Sequence, residues 1–211
     1  MKLKAVNVRV TFAHGMFKAT ALEDGQQAKF GADFIYNKNT KLFQIMPDKT
    51  AKPITMAEAM LAVAGETWKG KGKEMLEDLE ASKKCYRNGN RRINKSGEVY
   101  EGYEDSWYVT AKSPTRPTLF HNAANGKIPL TEADGVIYSG CYVDVIFDLY
   151  GNSQPKKKGV FAGLKGVQFR EDGDAFSGGA PVTADDFGDI AEGGAADDFG
   201  DIAKGGAADL L

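Results

Sequence analysis

The sequence predicts an all-β fold with one helical insertion. Three observations carry this. Short stretches of apolar–polar alternation recur towards both ends of the chain. A single block of helix-forming residues separates the early stretches from the late ones. Strand and helix patterns do not alternate, as a parallel βαβ sheet would require.

The elements follow in order. In KAVNVRVTF, Val6, Val8, Val10 and Phe12 take one face and Asn7, Arg9 and Thr11 the other, the mark of a half-buried strand. AKFGADFIYNK, residues 28–38, is rich in aromatic and β-branched residues and reads as a second strand. KLFQIMP extends the sheet before Pro47. Thr55 with Glu58 three residues later has capping-box spacing, and MAEAMLAVAG and KEMLEDLEASKK give one broken helix or two short ones over residues 56–84. Tyr86 to Glu104 is polar, basic and glycine-bearing, which predicts a long mobile loop or hairpin. DSWYVTAK and PTLFHN are strands, and Trp107 shares the parity of Val109 and Ala111, which points it inward. GCYVDVIFDLYGN places Cys141, Val143, Val145, Phe147 and Leu149 on one face. GNSQPKKK turns the chain into GVFAGLKGVQF, a last strand kinked by glycine.

Five or six strands with a helical insertion fit a partly open antiparallel barrel of the OB type, with a β-sandwich as the competing arrangement. Residues 1–179 form this domain. Residues 180–211 form a flexible acidic tail, in which Ala184–Ala195 and Ala196–Ala207 differ only where Glu192 becomes Lys204.

A formal net charge of −2 hides a division. Residues 1–170 hold 26 Lys and Arg against 18 Asp and Glu, whereas residues 171–211 hold Lys204 against 11 acids. A basic body on an acidic tail points to a nucleic-acid partner.

Other chemistry finds little support. Cys85 and Cys141 sit in no CxxC and lie apart from His14 and His121, which argues against a disulfide framework or zinc. MKLKAVNVRV is not a signal peptide, no run suits a membrane span, and the cytoplasm is the expected compartment. GETWKGKG has the beginning of a P-loop but ends on Gly72 where Ser or Thr should hold a metal. No GxSxG is present. Glu98, Glu101, Glu104 and Asp105 would be the carboxylates of a metal-dependent nuclease, the last of the readings. No cofactor, metal or catalysis is expected.

Unpaired strands are held by cations that track phosphates and by rings on which bases stack. Residues 86–112 interleave both: Tyr86, Arg87, Arg91, Arg92, Lys95, Tyr100, Tyr103, Tyr108 and Lys112, with Trp107 and Arg116 as further binding candidates. Tyr108, opposite Trp107 in parity, is the better stacking candidate. Tyr150, Lys156, Lys157 and Lys158 form a second cluster in the late hairpin. Asp144 and Asp148 argue against phosphates on the outer face of their strand.

WYVTAKSPTRP (107–117), YSGCYVDVIFDLYGN (138–152) and KGVFAGLKGVQFREDGDAFSGG (158–179) resemble, in that order, a family of bacteriophage single-stranded DNA-binding proteins. Trp107, Arg116, Pro117, Gly140, Tyr142, Val143, Gly159, Gly163, Leu164 and Val167 match its pattern. The resemblance implies an OB-fold that binds single-stranded DNA with little sequence preference during replication, recombination or repair, without cofactor or catalysis. It also implies that the acidic tail recruits phage or host replication proteins. The docking residues would be Asp185, Asp186, Phe187, Asp189 and Ile190, repeated as Asp197, Asp198, Phe199, Asp201 and Ile202. A homodimer is an open option. The competing function is that of a β-sandwich structural or docking protein of the virion.

Overall fold

The computed structural model describes residues 1–21, 25–123 and 126–176. The acidic segment, with every docking residue named above, lies outside the described residues.

Ten strands and two helices are present among the described residues. Five strands pair into a closed ring: β1 (Lys2–Thr11), β2 (Phe30–Tyr36), β6 (Trp107–Ser113), β10 (Gly159–Glu171), β9 (Tyr142–Asn152) and back to β1. Four of these pairings are antiparallel. β6 with β10 is parallel, Ala162 opposite Ala111. The expectation of a purely antiparallel, partly open barrel is corrected here, because β9 intervenes in sequence and returns the chain to β6 in the same direction. The ring is mostly β with an OB-like order of strands, and it is not a two-sheet sandwich.

The remaining strands extend the ring. β3 (Lys41–Ile45) and β4 (Ala51–Pro53) continue from β1, β5 (Tyr86–Asn88) pairs with β6, and β7 (Thr118–Ala123) and β8 (Gly126–Pro129) continue from β10.

Alternation fills the ring. Val143, Val145, Phe147 and Leu149 are fully buried, as their spacing predicts. On β1 the pattern differs from the prediction. Leu3, Ala5, Val8 and Val10 face inward, and Val6 does not. The register shifts between Ala5 and Val8, where Asn7 adopts a φ of 61° and donates its N–H to Asp144 Oδ1 at 3.1 Å. This bulge resets the inward parity by one residue.

Helix α1 (Met56–Trp68) starts with the expected capping box, Thr55 with Glu58, and buries Met56, Ala59, Met60 and Val63 in the core. At its far end it closes on β9, where a Cβ on Gly151 would stand 2.0 Å from Thr67 Oγ1. The P-loop-like segment is the join between α1 and α2 (Gly72–Asp78). Cys85 and Cys141 are free and buried, and burial raises their thiols to about 12 and about 11. No helix among the described residues is long and apolar enough to cross a membrane.

The segment after β5 is not the free loop that its composition predicts. Tyr103 is buried against Ile35 and Tyr108, and its hydroxyl donates to Asp33 Oδ2 at 2.8 Å. Residues 89–106 thus form a cover over the outer face of β2 and β6.

Candidate nucleic-acid interface

A groove of about 780 Å³ crosses the outside of the ring over β2, β6 and the start of β10. Its cations come from four places in the chain: Lys29 at the entry to β2, Lys84 and Arg87 around β5, Arg92 in the covering segment, and Lys112 on β6. Asp33 is the one acid among the lining residues. The rings are Phe12, Tyr150 and Phe161. Phe12 and Tyr150 are 41% and 47% exposed, and Tyr150 stands 6.0 Å from Phe161. The floor is glycine at Gly31, where a Cβ would lie 2.8 Å from the Ala111 carbonyl oxygen and 2.9 Å from Lys112 Cγ. That gap lets the lysine stem lie across the strand.

Beneath this surface runs a polar network. Asp33 Oδ1 accepts from Thr110 Oγ1 at 2.5 Å, and Thr110 Oγ1 in turn accepts from Arg87 Nη2. Asp33 Oδ2 accepts from Tyr103 and lies 3.2 Å from Arg92 Nη2. The Arg92 guanidinium carbon stands 5.2 Å from the Phe12 ring centre and 5.6 Å from that of Tyr100, and Arg87 stands 4.8 Å from that of Tyr108. Such contacts hold the rings and the cations in one array.

Partial removal of water by the groove walls lowers the Lys112 ammonium below the ordinary lysine value. Asp33 opposes that shift, and Arg87, Lys29 and Arg92 add to it. The charged form is the one that attracts a phosphate. Affinity for a nucleic acid is therefore expected to hold at neutral pH and to fall, as pH rises, before ordinary lysines titrate. The measurement is a binding titration across pH for the wild type and Lys112→Arg, and the early part of the fall should vanish in the variant.

Of the residues named from sequence, Arg87, Arg92, Lys112 and Tyr150 come together in this groove. Arg91 and Lys95 are exposed on the covering segment, and Arg116 is exposed after β6, outside the lining. Lys156 and Lys157 are exposed in the turn between β9 and β10, and the Lys158 ammonium lies 3.7 Å from the Met75 sulfur. Tyr100 lines a neighbouring hollow of about 360 Å³ together with Phe12, Phe17, Tyr138 and Phe176.

The assignment of Trp107 and Tyr108 is reversed. Tyr108 is 3% exposed and Trp107 46%. The cover formed by residues 89–106 buries the outer face at Tyr108. Trp107 sits at the first position of β6, opposite Tyr36 and Asn88, and stacks on Tyr86 at 4.9 Å with planes 23° apart. Tyr103 is also removed from the stacking candidates, since it is 1% exposed.

Phe12, Lys29, Lys84 and Asp33 are not singled out by sequence. Phe12 looked like a core residue by alternation. It leaves β1 at a φ of 56° and ψ of 38°, a left-handed turn that aims the ring at the groove. No spacing rule announces such a turn at phenylalanine. On the outer face of β9, Asp144 pairs with Lys4 at 3.4 Å and Arg170 at 3.3 Å, and Asp148 with Lys165 at 3.2 Å. Glu98 accepts from Asn94 and Asp105 from Asn90, and no group of three or more potential metal ligands converges among the described residues.

The ring and its cleft define an OB-like barrel whose complementary ligand is a polyanion carrying flat rings. Comparison with known proteins makes the assignment specific. The chain belongs to the family of the single-stranded DNA-binding protein of Enterobacter phage Enc34, whose sequence model matches residues 1–200. A protein designated p50, from Acyrthosiphon pisum secondary endosymbiont phage 1, is 33% identical over 194 residues, covering 90% of this chain and 95% of its own. The fold is shared with the bacteriophage Enc34 single-stranded DNA-binding protein solved in complex with single-stranded DNA. That structure has a TM-score of 0.56 and 19% identity, and the match covers 83% of this chain and 89% of the other. A C-terminal truncation of the Enc34 protein gives 0.54 and 20%, covering 83% and 88%.

Proposed function

We propose that this protein binds single-stranded DNA with little sequence preference during phage DNA replication, recombination or repair. The observation that supports this best is the convergence of five cations and three rings on one groove. Cations alone would serve any polyanion. Exposed rings beside them suit bases that are free to stack, and each stacked base contributes about 1–3 kcal/mol. Backbone and ring contacts carry no code for base identity, which accounts for the absence of sequence preference.

The acidic tail contends for the same groove, since its carboxylates mimic a phosphate chain, and its repeated DDFGDI segments offer docking points for replication proteins. The setting is the host cell cytoplasm.

The experiment is fluorescence anisotropy with labelled oligo-dT and with a duplex of equal length, over a range of salt. The single strand should bind more tightly, with affinity falling steeply as salt rises. Equal affinity for duplex, or no binding at about 50 mM salt, would sink the reading. Removal of residues 181–211 is expected to tighten binding by about tenfold at low salt, and by less at high salt, where the tail's charge is screened. An unchanged affinity would refute the competition without touching the groove.

A further inference from the structure

A carboxylate at the bottom of a groove that attracts phosphate needs an explanation, because its field opposes the ligand. Asp33 does not reach the ligand itself: its side chain is 4% exposed, while that of Arg92 is 35% exposed. Its two oxygens divide the work. Oδ2 holds Arg92 Nη2 at 3.2 Å together with the Tyr103 hydroxyl. Oδ1 takes the single hydroxyl proton of Thr110, which turns the oxygen lone pairs of Thr110 towards Arg87 Nη2. One buried anion thereby orients two guanidinium groups that come from different parts of the chain. Each is gripped at one Nη2 and buries its Nε, which leaves Nη1 and the second Nη2 hydrogen as the donors for an incoming oxygen.

We propose that Asp33 is a positioning residue for strand binding: it fixes Arg92 directly and Arg87 through Thr110, so that both meet the phosphates without reorganising. The inference rests on the groove being the seat of the single strand. Preset donors also spare the strand the cost of freezing two long side chains on binding.

The charge of Asp33 makes the test one of sign. Asp33→Asn adds one unit of positive charge to the groove. If the carboxylate only weakens the field, the variant binds oligo-dT more tightly. If it positions the arginines, the variant binds more weakly, because a neutral amide has one acceptor oxygen in place of two and cannot accept from Arg92 and from the Thr110 hydroxyl at once. The expected result at about 0.1 M salt is a loss of roughly fivefold or more, with the slope of log affinity against log salt flatter by about 0.7 to 1.4, one to two phosphate contacts. Thr110→Val keeps a β-branched side chain on the strand and leaves the Arg92 contact in place, while it cuts the link to Arg87 and removes the hydroxyl from which Asp33 Oδ1 accepts. It should weaken binding by about threefold and flatten the slope by about 0.7. Thermal melting of both variants separates this from unfolding, and should Asp33→Asn fail to fold, Thr110→Val decides alone. Affinity and slope unchanged in Thr110→Val, or tighter or unchanged binding in a folded Asp33→Asn, overturn the proposal. A wild type that does not bind oligo-dT in the same titration brings down the groove reading itself, which is a separate result.

Discussion

Changing Lys29, Lys84 and Lys112 together to alanine should lower affinity for oligo-dT by about a hundredfold at 0.1 M salt and flatten the log–log salt slope by about 2, three contacts at roughly 0.7 each. These lysines are chosen because they line the groove and take no part in the Asp33 network. Removing Arg87 or Arg92 instead would leave a buried carboxylate or hydroxyl without its partner, and a loss of binding would be mixed with a loss of stability. The triple variant should melt near the wild-type temperature, since Lys29 and Lys112 are exposed and Lys84 is half-buried, and such surface charges contribute little to folding. Equal loss on removing Arg91, Lys95 and Arg116, which lie outside the lining, would mean that the basic charge acts as a diffuse field rather than as a groove.

Tyr103→Ala should destabilise the protein by roughly 3–5 kcal/mol, the range for removing a large buried aromatic side chain. Tyr103 is the largest fully buried side chain among the described residues. Its ring meets Tyr108 edge to face at 4.9 Å, and its hydroxyl links Asp33 to Thr11 Oγ1 at 3.1 Å. Tyr103→Phe keeps the ring and should cost less, about 1–3 kcal/mol, for the hydrogen bonds lost around a buried carboxylate. Urea unfolding measures both. The variants distinguish a cover that is part of the fold from a loop that merely rests on it. In the second case both would unfold with the wild type, and only protease sensitivity within residues 89–106 would change.

The cover also shows where the sequence was legible and where it was not. Strands with one wet and one dry face announced themselves: the inward residues of β9 and the cap of α1 were readable from spacing alone. So was the division of charge, and with it the general nature of the ligand. What could not be read was any residue whose environment is supplied by a distant segment. Tyr108 is dry because residues 89–106 fold over it, and Trp107 is wet because the strand begins there. Phe12 faces the groove because the backbone turns left-handed at that residue. Lys29 and Lys84 look like ordinary flanking lysines until β2 and β5 flank β6. Alternation encodes which side of a strand a residue takes, but not what the rest of the chain lays on that side. The parallel contact between β6 and β10 was illegible for a related reason: the parallel rule reads local βαβ units, and this pairing is made across β9.

The closure of the ring has a kinetic consequence. β1 and β9 are joined by hydrogen bonds between residues 2–9 and residues 142–148, and the N-terminal amine donates to the carbonyl of Leu149 at 2.8 Å. Each such pairing requires a very long span of chain to be brought end to end before any contact rewards it, which places folding among the slow, nonlocal topologies. β10 contributes one wall of the cleft through Phe161 and Ala162, and among the described residues it is the last strand to leave the ribosome. A nascent chain therefore carries its lysines and arginines long before it has a cleft to arrange them. The gripping surface comes into being in one late event, when β10 settles between β9 and β6.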